Sequence, residues 1–422
     1  MAISLKINFA SLKGALPLAI SNSIAKSIAA IGSLVLAKIY GPQDFGIYNA
    51  ILSIAYIFTV VVSFNLDSII ILIRDKKEAN SFFYGTFWTA SFSTLIGLII
   101  LFFINYTNIV VVSSSNIILI ILAMASWLTV INNSQISLLT KNKEYYKISV
   151  LIITLSVTTI GFQFIFHQTE YKSNGLVYGW ALGLLFTVLC ALFTSIRSIR
   201  DTSLYSFKNN IRKYADIIKQ SYFASLIDVI SSNLFVILTL AYFSASEVGV
   251  YSLASKILTV PLSILSASFL KFYAEKASVL YEDSPTELIK LTKSIIIINA
   301  SIVLLFIILM NSVGFYILEI YLDKKEWANL QYYVLILSFW ILSRSMVNPI
   351  SSIISVIRKN RWSLIFNTFI LFISLLSLYV GVKEQEYLIC IILYSILSSL
   401  AYIILLIAIV KNLKENARKK IS

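Results

Sequence analysis

Apolar runs of about twenty residues recur along the whole chain and constrain its fold more than any other feature. A helix of that length crosses the roughly 30 Å of hydrocarbon in a membrane, because each residue adds about 1.5 Å along the axis. Hydrophobic residues make up 58% of 422 positions, charged residues 13%, and mean hydropathy is +0.86. The runs are too long for barrel strands and lack strict alternation. The sequence therefore predicts an all-α polytopic membrane protein.

Basic residues fix the expected orientation of these runs. Twelve transmembrane helices are predicted at residues 15–38, 46–68, 83–105, 115–138, 148–166, 175–196, 219–242, 248–270, 293–316, 329–354, 363–381 and 387–410. Of the 34 Lys and Arg residues, 26 fall in one set of loops and termini and 5 in the other. Cytoplasmic loops are the basic ones, so both termini are expected in the cytoplasm. The net charge of +14 follows from this asymmetry and does not indicate a nucleic-acid partner.

A short motif occurs twice, about 203 residues apart. Residues 44–48 read Asp-Phe-Gly-Ile-Tyr, and residues 247–251 read Glu-Val-Gly-Val-Tyr. Gly41 and Pro42 precede the first copy and predict a tight turn between spans 1 and 2. Two matched halves indicate an internal duplication, with the halves related by an axis along the membrane normal. We expect a six-helix lobe at 1–200, a cytoplasmic linker at 201–218 and a second six-helix lobe at 219–422.

Four predicted spans carry a charge within a polar face, where an ionised group costs roughly 2.5–3.5 kcal/mol on insertion scales. Such groups should face a cavity or a partner. Cations outnumber acids three to one among them, so a cavity lined by them would attract an anion such as a phosphate or an acidic sugar. The alternative is a structural ion pair between Asp228 and either Lys26 or Lys256. The candidates for substrate binding are Asn22 and Lys26 in span 1, Asp228 in span 7, Lys256 in span 8, and Arg344 and Asn348 in span 10.

Three acidic residues are candidates for gating. Asp44 and Glu247 follow the two turns on the predicted outer face, where the lobes would meet when the cavity is closed to that side. The alternative is that each only caps a helix start. Asp67 interrupts span 2, where the helix is expected to bend or end, and its alternative role is an ion pair with Arg74 at the interface.

Other kinds of site are not expected. Cys190 and Cys390 lie inside apolar runs and predict no disulfide, and the single histidine, His167, predicts no metal site. A nucleotide-binding loop of the type G-x-x-x-x-G-K-[ST] does not occur in the sequence. These features favour a transporter over an enzyme.

Three segments resemble one known family. They are Leu-Ala-Lys-Ile-Tyr-Gly-Pro-Gln-Asp-Phe-Gly-Ile-Tyr at 36–48, Asn-Leu-Asp-Ser at 65–68, and Glu-Val-Gly-Val-Tyr-Ser-Leu-Ala-Ser-Lys at 247–256. The chain resembles the Wzx-type O-antigen flippases, within the multidrug/oligosaccharidyl-lipid/polysaccharide exporter superfamily. The resemblance implies a MATE-like fold in the bacterial inner membrane, with a cavity lined chiefly by spans 1, 2, 7 and 8. Many relatives have a glycine where span 2 breaks, and the absence of one at 65–67 weakens the expectation of a kink there.

The resemblance also implies an activity. An undecaprenyl-pyrophosphate-linked oligosaccharide would move from the cytoplasmic to the periplasmic leaflet by alternating access, with Lys26 and Lys256 meeting the pyrophosphate or acidic sugars. The expected partners are this substrate, membrane lipids and the polysaccharide polymerase machinery. No cofactor is expected, and coupling to protons or sodium stays open because no ion site stands out in the sequence. The alternatives are a cation-coupled drug antiporter of the same superfamily and a membrane glycan polymerase or ligase.

Overall fold

Nearly all of the described part of the chain is helical. A computed structural model describes residues 9–73, 75–106, 115–199, 204–357 and 359–421, and no strand occurs within those ranges. The α-helices there are α1 Phe9–Ser63, α2 Leu66–Ile69, α3 Lys76–Tyr106, α4 Asn116–Lys141, α5 Tyr145–His167, α6 Gly175–Ile199, α7 Leu204–Tyr242, α8 Ala245–Asp283, α9 Pro285–Leu309, α10 Phe315–Tyr321, α11 Leu330–Val347, α12 Ile353–Val356, α13 Asn360–Glu384 and α14 Tyr387–Ile421. Short 3-10 helices at Lys172–Asn174 and Asn348–Ile350 and a π-helix at Met310–Gly314 lie between them.

Eleven helical segments in the described ranges are long and apolar enough to cross a membrane. The polytopic all-α prediction is therefore confirmed. The first segment, Ile20–Ser63, has 44 residues and covers most of the first two predicted spans. At about 1.5 Å per residue it measures about 66 Å, roughly twice the hydrocarbon thickness. The count of twelve spans and the cytoplasmic termini stay predictions.

Gly41 divides this long first helix. Its backbone has φ 73° and ψ 171°, inside an otherwise helical stretch. A side chain is disfavoured at this φ, and the following Pro42 has no N–H to donate, so the pair interrupts the helix as expected. The turn predicted between the first two spans is thus a sharp kink, after which the helix resumes at once.

A second interruption follows at the end of α1. Phe64 and Asn65 have positive φ angles of 50° and 55°, and α2 begins at the next residue. Asparagine enters this left-handed region more readily than most residues, so the chain can break here without a glycine. The bend or early end expected in span 2 is therefore present.

The predicted linker is largely helical. Residues 200–203 lie outside the described part, but α7 begins at Leu204 and continues into the span. The ring of Phe207 packs edge-on against Phe82 of α3, 5.5 Å between centroids, and Lys213 pairs with Glu78 at 2.7 Å. This part of the linker is therefore a helix docked on the start of α3.

The described residues form two compact units. Unit 1 holds the residues up to Gly32 and from Ile54 to Leu226, and unit 2 holds Ser33–Ser53 and the residues from Ile227 onward. A cluster of buried residues in unit 1 includes Leu66, Ile69, Phe82, Phe83, Leu138 and Phe207. A cluster in unit 2 includes Tyr273, Leu288, Ile295, Ile350, Ile353, Ile409 and Leu413. Ser33–Ser53 thus packs with the second half of the chain, while the domain boundaries at 200 and 219 stay predictions.

Candidate functional site

Most of the candidate residues fall in unit 2. Asn22, Lys26 and Asp67 belong to unit 1. The unit 2 candidates are Asp44, Asp228, Glu247, Lys256, Arg344 and Asn348. Because Ser33–Ser53 packs in unit 2, both copies of the repeated motif lie in the same compact unit.

The two motif copies cross backbone to backbone. A Cβ atom added to Gly46 would clash with the carbonyl oxygen of Ala245, and one added to Gly249 would clash with that of Pro42. Gly46 and Gly249 occupy the same position in the two motifs. The glycines therefore allow the helix after the kink and the first turns of α8 to approach more closely than any side chain permits.

Lys256 lies against the aromatic residues of the other motif copy. Its ammonium nitrogen is 4.7 Å from the centroid of Phe45 and 5.7 Å from that of Tyr48, both within cation–π range. Within the described residues no carboxylate lies within 4.0 Å of this nitrogen. The alternative of an ion pair between Lys256 and Asp228 is thus not formed in this structure.

Arg344 of α11 has a similar environment. Its guanidinium carbon is 5.1 Å from the ring centroid of Trp340, one turn earlier. Among the described residues it makes no ion pair within 4.0 Å, and its charge interacts with the tyrosines Tyr251, Tyr394 and Tyr402. Both cationic candidates of unit 2 therefore contact rings, and neither forms an ion pair with a carboxylate in the described part of the chain.

Asn348 is separated from Arg344 by the end of α11. It begins the 3-10 helix Asn348–Ile350, which contains Pro349, and its side chain is half-buried. Its carbonyl oxygen accepts a hydrogen bond of 2.9 Å from the Ser351 hydroxyl. Asn348 thus has a local role in turning the chain, and the polar face predicted for span 10 is not one continuous helix.

Asp228 has a partner that the sequence did not reveal. The side-chain amide of Asn367 in α13 donates to its carboxylate, with 2.9 Å between Nδ2 and Oδ1. In the sequence, the only indication of this role was that Asn367 is a polar residue within the apolar run of predicted span 11. The pair leaves the second carboxylate oxygen of Asp228 at an exposed position of α7.

The unit 1 candidates are more dispersed. Asn22 is half-buried and Lys26 exposed on α1. Asp67 is half-buried in α2, where the Ser63 hydroxyl donates to it. Its alternative partner Arg74 lies outside the described residues. The sequence did not predict a role for Asn65 in this region. Its side-chain amide nitrogen donates to the hydroxyls of Ser221 at 2.6 Å and Ser225 at 2.9 Å.

Asp44 and Glu247 have different surroundings. Asp44 is half-buried and lines a polar cavity of about 460 Å³ together with Tyr40, Gly41, Pro42, Gln43, Ser246, Lys325 and Glu326. The Glu247 carboxylate accepts a hydrogen bond from the Tyr333 hydroxyl of α11.

Helix α8 is capped by Ser244. The Ser244 hydroxyl accepts a hydrogen bond of 3.2 Å from the Glu247 backbone N–H, the arrangement typical of a Ser-x-x-Glu sequence at a helix start. Whether either acid gates transport stays a prediction.

Eleven apolar helices in the described ranges and an internal sequence repeat together define a polytopic helical membrane protein. A sequence profile of the family described as polysaccharide biosynthesis protein matches residues 35–331. The match covers well over half of the chain, which therefore belongs to this family. No curated protein sequence shows significant similarity to it.

Solved transporter structures share the fold at low sequence identity. A Lipid II flippase MurJ in an inward closed conformation has a TM-score of 0.72 and 15% identity, covering 95% of this chain and 89% of its own. A MOP superfamily transporter from Pyrococcus furiosus has a TM-score of 0.59 and 16% identity, with 96% of both chains covered. A multidrug resistance MATE family transporter in an inward-facing conformation has a TM-score of 0.58 and 14% identity, again with 96% of both chains covered. The MATE-like fold expected from the sequence is confirmed.

Proposed function

We propose that this protein is a flippase for an undecaprenyl-pyrophosphate-linked oligosaccharide of the O-antigen repeat-unit kind. It moves this lipid from the cytoplasmic to the periplasmic leaflet of the bacterial inner membrane by alternating access. Membership of the polysaccharide biosynthesis protein family supports the pathway. A fold shared with a Lipid II flippase supports the type of movement.

The proposal depends chiefly on one observation, the surroundings of the two cationic candidates in unit 2. Lys256 and Arg344 each contact an aromatic ring, and neither has a carboxylate within 4.0 Å among the described residues. Unneutralised charge in a membrane span is costly, which makes such residues functional by default. A pyrophosphate supplies the missing negative charge, and unit charges 4 Å apart attract by about 4 kcal/mol at an effective dielectric constant of 20.

The path of the substrate follows from its chemistry. The glycan and pyrophosphate are too polar for hydrocarbon and travel along the polar faces that carry Lys26, Lys256 and Arg344, while the polyprenyl tail stays in the bilayer. Coupling to protons or sodium belongs to the proposal, with Asp228 as its candidate group. The released units then become available to polysaccharide polymerase machinery on the outer leaflet.

The two alternatives predict other charges or other products. A cation-coupled drug antiporter needs acidic groups that attract cationic cargo. Among the candidates that lie within the predicted spans of unit 2, there are two cations, Lys256 and Arg344, and one acid, Asp228. Neither cation forms an ion pair within the described residues. A glycan polymerase or ligase would act on units that have already crossed the membrane.

A strain lacking the gene separates these functions. The proposal predicts that single lipid-linked oligosaccharide units accumulate on the inner leaflet, where they are protected from an enzyme added outside intact spheroplasts. Accumulation on the outer leaflet, where the added enzyme digests them, would overturn it in favour of a polymerase or ligase. Complementation with the wild-type gene is the control.

A further inference from the structure

The ring faces of Phe45 and Tyr48 are both directed at the same ammonium group. Phe45 and Tyr48 belong to the first motif copy, and Lys256 lies nine residues after the start of the second copy at Glu247. We infer that Phe45 and Tyr48 are positioning residues that compete with the anionic end of the substrate for Lys256. The inference rests on the proposed function. It adds a link between the binding of an anion by Lys256 and the contact between the two motif copies.

The rings are fixed more firmly than the lysine. Phe45 is 1% exposed and packs edge-on against Trp327, with 6.2 Å between centroids, and against Tyr48 at 6.5 Å. Tyr48 is 8% exposed. Lysine has four rotatable bonds and can redirect its ammonium without moving the backbone. When an anion approaches, the lysine therefore moves and the rings stay.

The chemistry makes the exchange selective. A ring offers the ammonium only the partial negative charge of its face, whereas a phosphate oxygen offers a full charge and a hydrogen-bond acceptor. An anion can therefore displace the rings, and a neutral sugar cannot. The ring contacts orient Lys256 in the absence of substrate, and they release it only to an oxyanion.

The same exchange weakens the contact between the motif copies. Phe45 and Tyr48 flank Gly46, which meets Ala245 at the start of α8, the helix that carries Lys256. When Lys256 leaves the rings, the cation–π part of this contact is lost, and only the glycine crossing and the apolar packing of Phe45 remain. Anion binding thus loosens the turn that contains Gly41 and Pro42 from the start of α8.

The first test measures binding of inorganic pyrophosphate to the full chain in lipid nanodiscs. Phe45→Leu and Tyr48→Leu remove a competitor, and each is expected to tighten binding by about three- to tenfold, the range of one cation–π contact. Phe45→Tyr keeps a ring face and should restore the wild-type affinity. Lys256→Met should abolish the binding. The matched control is Phe235→Leu, a buried ring in unit 2 that contacts Tyr251 and Tyr394, for which no change is expected.

The second test reports the contact itself. Cysteines replacing Gln43 and Ser246, which line one cavity, are introduced after Cys190 and Cys390 are changed to alanine. Pyrophosphate should slow disulfide formation in the otherwise wild-type chain and have no effect with Lys256→Met. With Phe45→Leu the rate should already be low without pyrophosphate.

The outcomes separate this inference from the proposed function. An unchanged or weaker pyrophosphate affinity in Phe45→Leu, an equal gain in Phe235→Leu, or the absence of Lys256-dependent binding would each overturn the inference. Failure of the proposed function appears elsewhere, as a wild-type protein that binds pyrophosphate but does not move lipid-linked oligosaccharide.

Discussion

Lys256 and Arg344 show how a membrane protein keeps a charge available. Each lies beside a ring, Phe45 for the lysine and Trp340 for the arginine, and the rings stabilise the charge without neutralising it. A carboxylate in the same place would form an ion pair that an incoming anion has to break. The spans and the charges of both residues were visible in the sequence. The aromatic neighbours of Lys256 were not, because Phe45 and Lys256 lie in opposite halves of the chain.

Asp75, at the predicted cytoplasmic end of α3, allows a prediction about pH. The backbone N–H groups of Glu78 and Lys77 bond to its carboxylate and hold the pKa of Asp75 below its ordinary value. A carboxyl whose pKa is lower in the folded state stabilises the fold above the unfolded pKa, and this contribution is lost as the pH falls through the folded value. Asp75→Asn is therefore expected to melt slightly below wild type at pH 7.

The measurement is the melting temperature in detergent at a fixed scan rate, taken between pH 7 and pH 3. The two proteins should converge as the pH falls from about 3.9, the ordinary value for aspartate, through the lower pKa that Asp75 has in the folded protein. A difference that stays constant over the whole range would contradict the assignment of this effect to the charge.

At the scale of elements, the two breaks in the first 70 residues differ in how well the sequence predicts them. Gly41 and Pro42 together predict the first break, since one tolerates the dihedral angles and the other cannot continue the helix. The break at Phe64 and Asn65 carries no glycine or proline. It is stabilised by the bonds of Asn65 to Ser221 and Ser225 on α7, and such contacts between distant segments are not readable from a local pattern.

Substitutions of Asn65 test the second break. Asn65→Ala loses the side-chain bonds and keeps a Cβ atom in the left-handed region, which costs roughly 1–2 kcal/mol relative to glycine. Asn65→Gly loses only the bonds, so it should be the less destabilising of the two. Hydrogen exchange over residues 60–70 should rise more in the alanine variant. Equal exchange in both variants would mean that the left-handed backbone contributes nothing to the break.

The glycine crossing permits a second prediction at this scale. Gly46→Ala and Gly249→Ala each force a methyl group against a backbone carbonyl of the other motif copy, and overpacking of this kind costs about 1–3 kcal/mol. Both variants should melt at a lower temperature than wild type. Gly161→Ala is the matched control, because no atom lies within 4 Å of its added Cβ and alanine favours a helix. A decrease of the same size in all three variants would show that the crossing has no special role.

At the scale of the whole molecule, composition and repetition settle more than any single residue. The apolar spans were enough to predict the all-α fold class, which the structure confirms. The resemblance of three short segments indicated a family of polysaccharide export, and the profile match shows membership of the polysaccharide biosynthesis protein family. The helical part of the linker was not predicted, because its residues are mostly polar and the burial of Phe207 depends on a distant segment. The packing of Ser33–Ser53 with the second half of the chain was not predicted either, since it depends on contacts between distant segments.

The central claim is that unneutralised cations in the spans serve to move a lipid-linked anion across the membrane. The most direct measurement follows undecaprenyl-pyrophosphate-linked oligosaccharide from one leaflet to the other in proteoliposomes that contain the purified chain. The account predicts that the wild-type protein moves this lipid, that Lys256→Met slows it at least tenfold, and that Lys256→Arg retains most of the rate. Transport by Lys256→Met at the wild-type rate, or no transport by the wild-type protein, would contradict it.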